Sequence, residues 1–230
     1  RATNDQGKIV ELPLAIQLKA FKIYEYPPKL MLVNGKTGDP IPKENPTTLI
    51  VDSTFKTADL QGWNIKLNKY LDEAAPLMTR DTTNYLPWYS AGAMTAINIT
   101  ATSPDGKVKR TGWVTCGSYH FPYQVLSLDG KISIAMPERE PQRYLSSVEL
   151  MTQAGLHAFA DIEVNRPLSV EGWKIYQLSY DTSMGRWSET SVLELVRDPW
   201  LPFVYVGLGM MMLGAVFMFL SLQRRKETKE

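Results

Sequence analysis

Short runs of alternating apolar and polar residues fill most of the chain. An uninterrupted apolar run closes it. Leu12 to Lys19 (LPLAIQLK) alternates in the manner of a half-buried strand, and Phe21 to Tyr26 continues it. Pro27-Pro28, Asn34-Gly35 and Gly38 to Pro42 then predict a turn-rich loop. Thr48 to Val51 and Trp63 to Leu67 are two further short strands. Leu67 to Met78 has room for one or two helical turns, closed by Pro76.

Met94 to Thr102 is rich in β-branched residues and meets Val108 to Cys116 across Ser103-Pro104-Asp105-Gly106-Lys107, which predicts a hairpin. Tyr123 to Leu128 and Lys131 to Met136 form a second one around Asp129-Gly130. Ser146 to Thr152, His157 to Val164, Trp173 to Tyr180 and Ser191 to Val196 complete the strands, with Asp181 to Ser188 turning the last pair. The pattern predicts a mainly β ectodomain over residues 1–199, sandwich or barrel-like, built of many short antiparallel strands.

Leu201 to Leu222 (LPFVYVGLGMMMLGAVFMFLSL) carries no charge. Twenty-two residues at about 1.5 Å each span roughly 33 Å, the thickness of a bilayer core. A transmembrane helix is predicted over 200–223, followed by a basic tail, 224–230, with Arg224, Arg225, Lys226 and Lys229. Those cations favour the cytoplasmic side, so the expected location is a bacterial inner membrane with the ectodomain in the periplasm. The chain opens at Arg1 without an apolar leader, and a preceding signal peptide or further membrane helices are expected. Gly207, Gly214 and Ser221 recur every seven residues and mark a face suited to close helix packing in lipid.

Composition narrows the chemistry. Outside 224–230 the chain has 21 basic and 22 acidic residues, a balance that speaks against a nucleic-acid partner. Cys116 is the single cysteine, so no intrachain disulfide forms. Cys116 and His120 stand four apart, a spacing similar to the end of the copper loop in cytochrome oxidase subunit II. Position 112, where a second cysteine would be needed, is glycine, so no metal site is expected. His157 stands alone; with His120 it is a weak candidate for a haem ligand. Glu138 and Glu140 lie in a proline-flanked polar connector, where solvated charge is the expected reading. Nucleophile elbow, phosphate loop and HExxH are all missing, and no catalytic residue is assigned.

One stretch has a distinctive signature. Glu163-Val164-Asn165-Arg166-Pro167-Leu168, followed by Gly172-Trp173-Lys174-Ile175-Tyr176-Gln177-Leu178-Ser179-Tyr180, resembles the ResB (CcsB) family of cytochrome c biogenesis proteins. Asn165, Pro167, Gly172, Tyr176 and Gln177 fill the pattern's fixed positions, as a structural hairpin signature or a partner-binding one. Leu12-Pro13-Leu14 with Leu18, Phe21 and Glu25-Tyr26-Pro27 resembles the opening of the family's external domain. Ser191 to Pro199 is similar to its run into the last membrane helix, and Met136 to Pro141 is similar to a Bacteroidota branch. The resemblance implies a membrane-anchored component of a cytochrome c maturation complex. Its implied partners are a CcsA-type haem-handling protein and apocytochrome c, with haem as a cofactor of the complex. Family membrane helices carry histidines linked to haem passage; the helix here has none. Two other readings of the residues are a copper-carrying electron-transfer domain and a generic membrane-tethered binding module.

Overall fold

The computed structural model describes residues 2–4, 6–80 and 82–227, with helix side chains as far as Met218. It is mainly β, with one long helix at the C-terminus. The strands, in chain order, are β1 (Ala2–Thr3), β2 (Ile9–Val10), β3 (Leu14–Glu25), β4 (Lys29–Asn34), β5 (Thr48–Ile50), β6 (Thr57–Leu60), β7 (Trp63–Met78), β8 (Thr83–Pro87) and β9 (Met94–Thr102). There follow β10 (Lys109–Thr115), β11 (Leu126–Ser127), β12 (Ile132–Ala135), β13 (Pro141–Thr152), β14 (His157–Glu163), β15 (Leu168–Val170), β16 (Trp173–Tyr180) and β17 (Ser191–Val196). A 3₁₀ turn, Gly185–Trp187, and helix α1 (Leu201–Glu227) complete the chain.

β1 and β2 pair as a separate two-stranded ribbon, and two packages of sheet divide β3 to β17. In the first, the sheet β10-β9-β7-β6, with β8 on β7, faces the sheet β11-β12-β4-β5. Ile65, Ile97, Ile99 and Val114 from one sheet pack on Leu30, Leu32 and Ile134 from the other. Thr115 bridges to Gln124, and Arg110 Nε donates to Leu128 O, so the β10 and β11 edges are tied and the package is barrel-like. In the second, β14-β13-β3 and β15-β16-β17 form a small sandwich over Leu14, Val148, Leu150, Ile162 and Ile175.

The first package is an insertion in the second. β3 pairs directly with β13, from Leu14↔Thr152 to Glu25↔Pro141, and all of β4 to β12 lies between them in sequence. Only two segments join the packages, residues 26–28 and 136–140, and they run side by side. Tyr26 N–H donates to Glu140 O at 2.9 Å, Arg139 Nε donates to Tyr26 O at 2.9 Å, and Lys29 Nζ meets Glu140 Oε1 at 2.8 Å.

The expected pairs form as read, β9–β10, β11–β12 and β16–β17 being antiparallel, and the strands β13 and β14 also pair with each other. Two local expectations are corrected. Residues 67–78 hold no helical turn; they belong to β7, where Pro76 pairs with Tyr85 on a stretch that β9 does not reach. An unpartnered strand side tolerates a residue without an N–H. The turn-rich loop of 27–42 encloses a strand, β4, whose Leu30, Leu32 and Val33 are buried. Burial outweighs the Pro and Gly punctuation on either side of it.

Helix α1 begins after Asp198, whose carboxylate accepts the Trp200 N–H at 2.9 Å, and Pro202 sits in the first turn where its missing N–H is harmless. Leu201–Met218 is apolar and long enough to cross a membrane, and none of it is covered by the rest of the chain.

Candidate functional site

The signature residues build two successive tight turns and a buried polar knot. Val164 and Asn165 turn the chain between β14 and the Glu163↔Arg166 bridge, with Asn165 at φ +65°, a conformation asparagine tolerates better than most residues. Pro167 leads into β15. Glu171 and Gly172, at φ +48° and +80°, make the two-residue turn that closes Val170↔Trp173. Two positive φ values in a hairpin turn define a geometry that glycine relieves.

Tyr176 is half-buried and pairs across to Glu194, whereas Gln177 is buried. Gln177 Oε1 accepts from the Ser146 and Ser191 hydroxyls, and its Nε2 donates to Ser179 O at 2.9 Å. Ser146 lies on β13 and Ser191 on β17, so this amide ties the two sheets of the sandwich together.

A second cluster sits where the packages meet, and the sequence reading did not find it. Arg139, on the connector, reaches Asp72 Oδ1 at 2.6 Å, Thr95 Oγ1 at 3.0 Å and Glu25 Oε2 at 3.4 Å. Arg186, in the 3₁₀ turn, meets Glu25 Oε2 at 3.4 Å and donates to Asp72 O and Ala93 O at 3.2 Å. Trp187 Nε1 donates to Ala93 O at 2.9 Å. Burial raises the Glu25 carboxyl above its ordinary value although both guanidiniums oppose this. Burial and the nearby Asp72 push the Tyr70 phenol up to about 12. Only folding brings these residues together: Glu25, Asp72, Arg139 and Arg186 belong to four distant segments, and charge alone gives no signal of their meeting.

A cleft of about 290 Å³ opens beside this cluster. Glu25, Arg139 and Arg186 line its polar side, and Phe121, Tyr123 and Trp187 its aromatic side. Cys116 also lines it, and burial raises its thiol above the ordinary value. Gly117, at φ +73°, turns the chain below it, and a Cβ there would meet Tyr123 N at 2.8 Å.

His120 stacks edge-on against Phe121, with centroids 4.7 Å apart, and lies close above Gly92. His157 is on the outer face of the sandwich, where its Nε2 meets the Glu149 carboxylate, which Lys19 also contacts. Among the described residues no three His, Cys, Asp or Glu side chains gather as a metal site would require. Gly207 and Gly214 face open space on the helix; the Ser221 side chain lies outside the described residues.

The model of the ResB-like family matches residues 114–189. That stretch holds the whole Asn165–Gln177 signature, the Arg139 connector, and the Arg186–Trp187 turn. The match supports a ResB family assignment. It covers 76 of 230 residues, and the resemblances at Leu12 to Pro27 and Ser191 to Pro199 lie outside it. No curated protein matches the chain. The ResB-like match supports a role related to cytochrome c biogenesis.

Proposed function

We propose that this chain is a membrane-anchored, non-catalytic component of a cytochrome c maturation complex. In this reading it works with a CcsA-type protein to position haem or apocytochrome c on the periplasmic side, with residues 224–230 in the cytoplasm. The ResB-like match over 114–189 carries the reading, and the uncovered apolar helix supports it. Haem is cargo here. The cleft is lined by no histidine, and at about 290 Å³ it lies at the low end of ligand pockets, too small to enclose a macrocycle. Gly207, Gly214 and Ser221 would face another membrane helix, of the CcsA-type partner or of ResB itself, and Asn165, Pro167, Gly172, Tyr176 and Gln177 would act by shaping the sandwich.

Removal of this chain from its native cell should abolish haem-stained cytochrome c, and its return on a plasmid should restore it. An affinity-tagged copy should co-purify a CcsA-type protein. Normal haem staining in the deletion strain would sink the proposal. Stoichiometric copper lost on Cys116→Ala would favour the electron-transfer reading instead.

A further inference from the structure

The inserted barrel hangs from the sandwich by two adjacent connectors, and a latch lies beside them, its Arg186 sharing Glu25 and Asp72 with Arg139 of the connector. Residues 26–28 and 136–140 are the only covalent links. The latch is the 182–187 loop of the sandwich, which reaches the barrel through Arg186 to Asp72 O and Ala93 O and through Trp187 to Ala93 O. Residues of both hinge and latch line the cleft. Its walls come from both packages: Glu25 and Met184 from the sandwich, Cys116, Phe121 and Tyr123 from the barrel. Clefts between two units joined by a short hinge are common ligand sites and open by small rotations.

The walls define what would enter. Two guanidiniums, Arg139 and Arg186, and two carboxylates, Glu25 and Glu138, line the cleft, so it has no net charge to offer an ion. The guanidiniums are already paired with Glu25 and Asp72. A charged guest would break a pair or stay unpaired in a half-buried place. The rest of the lining mixes aromatic and sulfur side chains with the hydroxyls of Thr95, Ser118, Thr182 and Ser183. A volume of about 290 Å³ suits one or two side chains. Tyr123, in the lining, is 70% exposed. Tyrosines held open in this way are typical contact groups.

We propose that this cleft is a latched binding pocket for an uncharged group of side-chain size that joins an aromatic ring to hydrogen-bonding atoms, and that the Arg186–Trp187 loop gates it. Cys116 reports on it directly, being the single cysteine and part of the wall. The full chain in lipid nanodiscs is treated with N-ethylmaleimide, and the alkylation rate of Cys116 is read by mass spectrometry. Trp187→Ala and Arg186→Ala should speed alkylation about tenfold, the effect of losing one or two net hydrogen bonds from the closed state. Trp187→Phe, which keeps the ring but loses the N–H, should give a smaller rise and guards against misfolding of the alanine variant.

N-acetyl-phenylalaninamide in the tens of millimolar should slow alkylation of the unaltered protein at least about threefold by occupying the closed state. The anion N-acetyl-phenylalaninate should not. Circular dichroism and hydrogen exchange in β13 and β14 should be unchanged throughout. Alkylation rates untouched by all three variants, or equal effects of amide and anion, would overturn the assignment. So would acceleration that comes only with faster exchange in β13 and β14. Cytochrome c maturation plays no part in this readout, so failure of the maturation role would leave the test intact.

Discussion

Gln177 is buried with its amide engaged on both sides, and its neighbours depend on it. Replacing it with alanine leaves the Ser146 and Ser191 hydroxyls with each other alone and opens a space between two sheets. We expect Gln177→Ala to cost about 1–3 kcal/mol in urea unfolding, the usual cost of a buried polar group losing its partner. Exposed Leu178→Ala should be near zero by the same measure. Two carboxylates should answer pH in opposite directions. Glu25 has its folded-state pKa raised by burial, so the folded protein holds that proton more tightly than the unfolded chain. Its contribution is complete below the ordinary carboxylate value of about 4.5 and is lost as pH rises through the raised one. Glu149 has its value lowered, chiefly by hydrogen bonding from Lys19 and then His157. Its contribution is present above about 4.5 and is lost as pH falls through the lowered value. Melting temperature against pH should therefore change slope with opposite sign in Glu25→Gln and Glu149→Gln; the same sign in both would contradict the assignment.

Hairpins were legible from the sequence because their turns are local. Ser103-Pro104-Asp105-Gly106 and Asp129-Gly130 place turn residues between β-rich runs, and Asp105 and Asp129 accept backbone N–H groups two residues on. β4 and the far half of β7 were not legible, because proline and glycine dominate the local signal while burial is decided by strands distant in sequence. The apolar helix was fully legible from length and lack of charge. Its packing face remains a proposal with a direct test. Gly214 faces open space here, so leucine fits without strain in the isolated chain and clashes only if another helix approaches. Gly214→Leu should reduce haem-stained cytochrome c and co-purification of the CcsA-type partner, while Phe217→Leu, exposed on the same helix, should be almost silent. Equal behaviour of the two would mean that the helix is a tether.

Insertion of one package into another could not be read along the chain, because the pairing that reveals it joins Leu14 to Thr152 and Glu25 to Pro141. The arc of sequence between those strands is self-contained: its first strand, β4, pairs with its last, β12, with Met31 opposite Ala135. Both ends of the barrel therefore emerge side by side, as in a unit that closes its own core before the flanking strands meet. Its core from Leu30 to Met136 draws on no residue of the sandwich. The sandwich likewise keeps Leu14, Val148, Leu150, Ile162 and Ile175 to itself. What the two share is polar, the Glu25–Arg139–Asp72–Arg186 cluster, and in buried ion pairs of this kind the cost of desolvation offsets much of the attraction. Residues 29–136 expressed alone should therefore fold. Far-ultraviolet circular dichroism should show β structure, and urea should unfold the fragment in one cooperative transition. Ile97→Ala in that fragment should lower its stability by about 2–5 kcal/mol, since Ile97 is fully buried in the barrel core. A fragment that stays unfolded would mean that the Arg186–Trp187 loop and the connectors are part of the barrel's own stability, and that the two packages form one cooperative unit.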